Sequence, residues 1–544
     1  MREPLLPLPR VQPRNRPEPL PASSAQARLW LLNEIDGPSA TYNVPLVWWL
    51  DGIVDAAALE EALCDVMTRH ETLRTVFGVA YGRPVQRVLD LPRPGGLLSV
   101  RDVPATDLDR VIDEACCWCF DLGADLPLRA WIFRAGDRSK LVLLVHHIAV
   151  DGLSLGPLLG DLGTAYAARL TGHEPPWTPL PVQYADYSLW QRELLGGGPD
   201  DLHPALRADL DHWRSELRAA PALAAVRTDR PRPADDAGHP SGLVHLEISP
   251  DVHLGLLRVS RACRTTLFVS LHAAVALLLR EHGSGPDVHV GVAIAGRDTE
   301  ELDDLVGMFV NTVVLRADVA DRTTFRELVT QLAGRDAEAL AHGRVPFDVV
   351  VGAVGYRRAD APSAGFQVLL GLEQGAPAEL VLSGIECTMV PTEADTAKCE
   401  LDISFVGKPP PTNRAKAGLT GTVQFDLTVL DRITVERLVG RLVKIVDECA
   451  ERPDEPWFAP SDPPSDLGLD GATVAVLVEL FAAALDRAEP QIGLDDSFFA
   501  LGGDRLRATR LVNRMRVALD VEVELADLEQ MPTVGALAAW LAEV

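Results

Sequence analysis

Leu141-Val142-Leu143-Leu144-Val145-His146-His147-Ile148-Ala149-Val150-Asp151-Gly152 is the stretch that decides the reading of this chain. An apolar run leads straight into a histidine pair, and a carboxylate and a glycine close the segment. The run predicts a buried strand. Successive strand side chains point to opposite faces, so His146 and His147 face opposite ways and at most one reaches a given substrate. His147 lies nearer the loop and is the candidate for chemistry. His146 then reads as a packed structural histidine. Taken alone, the string also fits a satisfied core histidine before a turn.

Composition narrows the choices around it. The 544 residues suffice for three or four units of ~150 residues each. A hydrophobic share of 47% allows full cores, and a formal charge of −27 argues against nucleic acid, whose phosphates need clustered Lys and Arg. No apolar stretch approaches the ~20 residues of a membrane helix, so no membrane partner is expected. Residues 1–20 are rich in Pro and Arg, lack the apolar segment of a signal peptide, and read as a flexible leader. Cys116, Cys117 and Cys119 have the wrong spacing for zinc and no nearby histidine, so no metal is expected; buried small hydrophobes in a helix are. Scattered cysteines suggest a reduced, cytoplasmic protein.

Along the chain, residues 21–195 mix helical and strand patterns, with helical spacing from Leu59 to Val76. A polar stretch, Gly196 to Pro204, precedes a second α/β region over 205–451, whose clearest strand is Val288 to Ala295, ending in Gly296-Arg297. Residues 452–467 read as a Pro-rich linker. Residues 468–544 look all-helical: Thr473 to Leu485 and Leu506 to Leu519 are amphipathic, and Thr533 is placed to cap a last helix from Val534 to Leu541.

Further strings follow in fixed order: Ser24-Ala25-Gln26-Ala27-Arg28-Leu29-Trp30, Arg69-His70-Glu71-Thr72-Leu73-Arg74-Thr75-Val76-Phe77, Tyr184-Ala185-Asp186-Tyr187-Ser188-Leu189-Trp190-Gln191, Val306-Gly307-Met308-Phe309-Val310-Asn311-Thr312 and Val345-Pro346-Phe347-Asp348. Together with the histidine pair they closely resemble the condensation domains of nonribosomal peptide synthetases, over residues 22 to about 450. The Arg-Asn-Pro text usual before Phe366-Gln367-Val368 is replaced here by Ala361-Pro362-Ser363-Ala364-Gly365.

That resemblance implies an α/β fold of two chloramphenicol-acetyltransferase-like lobes in a V, with an active-site tunnel between them. A donor carrier protein would bring an acyl or peptidyl thioester to one mouth, and an acceptor would bring an amine to the other. The activity implied is that of an acyltransferase forming an amide. A neutral imidazole of pKa near ~6.5 suits a base or a positioner for the amine, and which of the two His147 is stays open. Gly152 would let backbone approach the oxyanion. Asp151 either orients His147 or pairs elsewhere; the family favours the second, with Arg297 as the expected partner. Tyr184, Asp186, Trp190 and Asn311 read mainly as packing and loop supports of the tunnel.

Ile492 to Leu506 resembles the attachment site of a peptidyl carrier protein, expected as a small four-helix bundle. The family text is Phe-Phe-x-Leu-Gly-Gly-x-Ser, and its serine carries the phosphopantetheine arm. Here Phe498-Phe499-Ala500-Leu501-Gly502-Gly503-Asp504 leads to Arg505, which has no nucleophilic oxygen. Ser497, upstream of the glycine turn, is a poor substitute. The segment reads as a variant of a working carrier, as a degenerate carrier kept for docking, or as the bearer of a separate role for the face Arg505, Arg507, Arg510 and Arg514. No cofactor is then expected on this chain, and substrates would arrive on the phosphopantetheine arms of partner carriers. Only the linker stands where an amino-acid-activating domain usually lies, so donor and acceptor are both expected in trans.

Two rivals remain. A condensation-like domain can be a non-catalytic platform that docks carriers or recruits tailoring enzymes, although such platforms usually carry worn histidine motifs. An epimerisation domain shares the pair, but normally follows its carrier and needs a glutamate base that cannot be placed here. An ester product is a lesser variant of the amide reading.

Overall fold

The computed structural model describes every residue except 1–6, 38, 91–94, 137, 199–200, 218–225, 233–238, 322, 356–365, 375–377, 393–395, 408–417, 459–470, 486–492, 495–496, 500, 502–504, 520, 522, 524 and 542–544. The replaced family string at 361–365 and most of the linker lie outside the described residues. The chain divides into two compact units, Met1–Glu455 and Pro456–Val544.

The strands of the first unit, in chain order, are β1 Leu20–Pro21, β2 Asn43–Asp51, β3 Thr75–Ala80, β4 Arg83–Val88, β5 Leu98–Asp102, β6 Leu128–Ala135, β7 Arg138–His146, β8 Ser241–Ile248, β9 Asp287–Ile294, β10 Asn311–Asp318, β11 Val368–Gln374, β12 Glu386–Val390, β13 Leu401–Gly407 and β14 Leu419–Asp426. They form a small sheet β1-β4-β3, a sheet β12-β2-β7-β6-β5 and a sheet β10-β9-β11-β13-β14-β8. Each larger sheet belongs to one half of the chain, with one exception. Strand β12, expected within the second region, pairs antiparallel with β2 and extends the first sheet, Glu386 opposite Asp51 and Val390 opposite Val47.

The strand before the histidines sits at the centre of its sheet, between β2 and β6. Leu141 to Val145 are all at most 1% exposed, because a central strand covered on both faces is apolar at every position. The helices Ala56–Arg69 and Leu155–Arg169 pack against each other in the same half. The helical spacing that continues to Val76 is not realised: the helix stops at Arg69, His70 turns extended, and Thr75 and Val76 open β3. Both are β-branched and pair across to β4, where tertiary pairing outweighs the local period.

The leader is also corrected. From residue 7 it lies against the helix Tyr184–Leu195: the Trp190 indole N–H donates to Pro9 (2.8 Å), the Arg14 amide donates to Asp186 (2.9 Å), and Val11 is 2% exposed. The cysteine cluster differs as well, since Cys116 ends the helix Leu108–Cys116 while Cys117 and Cys119 lie beyond it and are exposed.

The second unit holds the helices Gly471–Leu485, Arg505–Leu519, Leu525–Gln530 and Val534–Leu541. They enclose a core that includes Phe481, Phe498, Leu511, Met515 and Leu537. Thr533 accepts from the Ala536 amide at 3.1 Å, the N-cap bond that satisfies a first-turn donor. No single helix among the described residues is long and apolar enough to cross a membrane.

Candidate active site

Strand β7 ends at His146, whose ring is 1% exposed, edge-on to Phe120 at 5.7 Å and tilted against Tyr42 at 6.5 Å. Its Nδ1 accepts from the Ile148 amide at 3.1 Å, which curls the chain out of the strand. His147 leaves the ladder, and its amide donates to the Tyr42 carbonyl at 2.8 Å. Its ring is half-buried, and its Nδ1 has no hydrogen-bond partner among the described residues. The two imidazoles thus have separate surroundings, His146 in an aromatic socket and His147 facing the loop.

Burial, and after it the Lys398 ammonium, lower His147 from 6.5 to about 4, while the carbonyls of His147 and Val150 pull weakly the other way. Burial and the neighbouring His147 lower His146 to about 3. Both rings are therefore uncharged at neutral pH, and His147 has a lone pair to offer. Lys398 comes from the segment between β12 and β13 and carries no sequence signal that marks it.

The same shifts fix a pH dependence. In the unfolded chain both rings titrate near ~6.5. The unfolded state then binds protons that the folded state refuses, so stability rises with pH there. Stability is expected to be full above about 6.5 and to fall as pH drops toward about 4. Urea midpoints across that window should show the fall, with a shallower slope for His147→Gln.

Asp151 faces away from His147. Its Oδ1 accepts from the Ser154 amide (2.9 Å), the Ser154 hydroxyl (2.7 Å) and Arg297 Nη2 (3.1 Å), and its Oδ2 accepts from the Phe309 amide (3.0 Å). The ion pair is dry, with side-chain exposures of 3% for Arg297 and 1% for Asp151. Arg297 also donates to the carbonyls of Leu302 and Leu305, donates to Ser154 Oγ (3.0 Å), and lies 4.1 Å over the Phe309 ring. Ser154 closes the network: the Gly307 amide donates to Ser154 Oγ (3.0 Å), which approaches the Gly307 carbonyl at 2.9 Å. Residues 151–154 of the first half are thereby tied to 297–309 of the second.

Two glycines make this approach possible. Gly296 has φ +63°, and a Cβ there would lie 2.1 Å from the Phe309 carbonyl oxygen. A Cβ on Gly307 would lie 2.1 Å from the Tyr184 ring. Gly152 is different: its φ lies outside the left-handed region, and a Cβ there would meet no protein atom within 4 Å beyond its chain neighbours. The helix Leu155–Arg169 begins three residues later and points its positive end toward this turn.

The supporting residues brace this frame, and none bonds to His147. Tyr184 is buried, and its hydroxyl bonds to Ser23 Oγ at 2.8 Å and donates to the Met308 carbonyl. Ser23 and Gln26 form the capping box of the helix Ser24–Asp36. Asp186 takes the Gln183 amide (2.9 Å) at its own helix start as well as Arg14. Asn311 donates to the carbonyls of Gly343 (2.8 Å) and Val345 (2.7 Å) and accepts from the Phe347 amide (3.0 Å). Ser154 and the Phe309 amide are the participants that sequence reasoning missed; the Asp-x-x-Ser spacing at 151–154 was the only local signal.

In the second unit, Arg505 is the first residue of its helix, at the position where a carrier serine would stand. A phosphodiester needs a hydroxyl there, and arginine has none. Ser497 bridges Thr533 instead, and Thr509 lies a turn inside the helix. The residues present do not fit a covalently held phosphopantetheine at this helix start. Arg507, Arg510 and Arg514 are exposed along the same helix.

Comparison with known proteins gives two family matches, condensation domain over residues 18–460 and phosphopantetheine attachment site over residues 475–541. CymA of Salinispora arenicola, named as a nonribosomal peptide synthetase, is 41% identical over 80% of this chain. A dimodular nonribosomal peptide synthase of Bacillus subtilis is 38% identical over 82%. The chain spans only 6% and 19% of the lengths of these two relatives. Among solved structures, the X-domain from teicoplanin biosynthesis aligns with TM-score 0.77 and 28% identity, covering 82% of this chain and 98% of that one; it is also solved in complex with OxyB.

Proposed function

We infer the function of this chain from its family: it belongs to the condensation domain family, and a domain of the phosphopantetheine attachment site family follows in the same chain. We propose that residues 21–451 join a carrier-bound acyl or peptidyl thioester to an amine. The observation that carries this reading is His147, an uncharged, half-buried imidazole whose Nδ1 has no hydrogen-bond partner among the described residues, with Asp151 bonded into the Arg297 network.

The amine lone pair attacks the thioester carbonyl, the C–N bond forms, and the carbonyl oxygen takes up negative charge. The C–S bond then breaks, the acyl group stays on nitrogen, and the amine proton leaves to the departing thiolate. His147 accepts or aligns that proton, a role worth roughly 10²–10⁴-fold in rate. Holding thioester and amine together supplies much of the rest. A backbone amide in the turn at Gly152, helped by the positive end of the helix behind it, meets the oxyanion. Segments 21–195 and 205–451 form the two lobes of this reading, each built on its own large sheet apart from β12, which crosses to the first, with donor and acceptor entering from opposite sides.

The appended bundle is proposed to be a carrier-like domain that is not loaded at position 505. The stretch 456–470 is too short for an amino-acid-activating domain, so the acceptor is activated elsewhere and offered by another carrier or as a free amine. Eight free cysteines suit a reducing, cytoplasmic setting. Intact mass measured after incubation with a phosphopantetheinyl transferase and coenzyme A is expected to be unchanged. The Arg505→Ser protein should gain one arm. A gain by the wild-type chain sinks the unloaded-carrier reading.

The likeness to an X-domain solved with OxyB favours a second reading, a platform that docks a partner protein without chemistry. The intact His146-His147 and Asp151-Gly152 favour the first.

A further inference from the structure

A cluster of metal-ligand side chains outside the condensation site meets where two helices touch. His212 belongs to the helix Pro204–Leu217; Glu338 belongs to the helix Phe325–Ala341, and His342 caps its C-terminal end. Glu338 and His342 are four residues apart and share a face. One donor atom from each of the three side chains lies within 4.8 Å of the others. The two imidazole rings run nearly parallel, 16° apart with centroids at 4.2 Å.

The surroundings are arranged as at a metal site. His342 Nδ1 pairs with Asp209 Oδ1 at 2.9 Å, and Asp209 is fully buried and also held by Arg344 Nε (2.7 Å). A carboxylate on Nδ1 selects the tautomer whose Nε2 lone pair is free, the usual outer-shell partner of a metal-bound histidine. His212 Nε2 is buried and has no hydrogen-bond partner among the described residues. A buried nitrogen left without a partner is costly, and a bound cation would remove that cost.

We propose that His212, Glu338 and His342 bind a zinc-class divalent cation. Two imidazoles and one carboxylate are a zinc-type donor set, and water completes the tetrahedron once one ring rotates out of the stack so that both in-plane lone pairs meet the ion. The ion acts as a clip. It fastens the helix Pro204–Leu217, the first helix after the loop between the two halves, to the helix Phe325–Ala341, where the Trp213 indole already donates to the His342 carbonyl at 2.8 Å. This site is separate from the condensation chemistry and stands or falls without it.

The test uses the full chain, free of any affinity tag, in a Cys117→Ser/Cys119→Ser background that removes the exposed thiols. The protein is stripped with a chelator and titrated with zinc; zinc per chain and the melting temperature are read, and Co2+ absorption reports the ligand geometry. The unsubstituted site should take up one zinc, melt higher with it, and give a tetrahedral Co2+ spectrum. His212→Ala, whose lost Nε2 had no hydrogen-bond partner, should fold, gain no melting temperature from added zinc, and bind zinc at least 10–100-fold more weakly. Glu338→Gln should weaken binding in the same direction. Equal uptake by parent and His212→Ala, or no uptake by the parent, overturns the proposal.

Discussion

The Asp151→Ala protein is expected to lose ~3–5 kcal/mol of stability, because it leaves a buried arginine without its counter-charge. Arg297 keeps its carbonyl partners at Leu302 and Leu305 but has no carboxylate left to answer it. The Phe309 amide and the Ser154 hydroxyl lose an acceptor in the same step. A domain holds ~5–15 kcal/mol in all, so a loss of this size lowers the yield of folded protein as well as its urea midpoint. The loss should be strongly non-additive, since Arg297→Met in the Asp151→Ala background removes the stranded charge and recovers part of the stability. Additive losses in the two single variants and the double variant would show that the pair does not carry the connection between 151–154 and 297–309. Any activity lost in Asp151→Ala therefore reports on the frame that holds the histidine loop.

For His147→Ala the expectation is the reverse. Amide formation should fall roughly 10²–10⁴-fold, while the urea midpoint changes little. The ring is half-buried, its Nδ1 bonds to nothing among the described residues, and the backbone bond to Tyr42 survives truncation. His146→Ala gives the contrast. It empties a socket between Phe120 and Tyr42 and strands the Ile148 amide, so its first effect is on stability. Equal losses of stability at 146 and 147 would argue against separate roles for the two rings.

Much of this was legible in the chain because it depends on local pattern. The apolar run 141–145 has to be a central strand, and its end places the two imidazoles in different surroundings. Partners contributed by distant segments were not legible. The Phe309 amide and Lys398 reach the histidine loop only through tertiary packing, and nothing in their local sequence announces it. Arg297 was reached through the resemblance and not through spacing. The spacing from Leu59 to Val76 pointed past the true helix end because cross-strand pairing claims Thr75 and Val76. Strand β12 escaped a contiguous reading of the second region because it finds its hydrogen bonds on the sheet of the other half. The proline-rich leader looked loose because its anchors, Trp190 and Asp186, lie far along the chain. At position 505 the sequence alone carried the chemical point: a missing hydroxyl is visible without coordinates.

His147 is proposed to serve amide formation. The most direct measurement is a single-turnover reaction followed by intact-mass spectrometry. An acyl-loaded donor carrier is mixed with the wild-type chain, or with His147→Ala, and offered either an aminoacyl-loaded acceptor carrier or a free amine. The donor acyl mass should move to one of these amines with the wild-type chain and do so roughly 10²–10⁴-fold more slowly with His147→Ala. Binding of the loaded donor carrier with no transfer to either amine, and no difference between the two proteins, would contradict it and leave the chain as a docking platform.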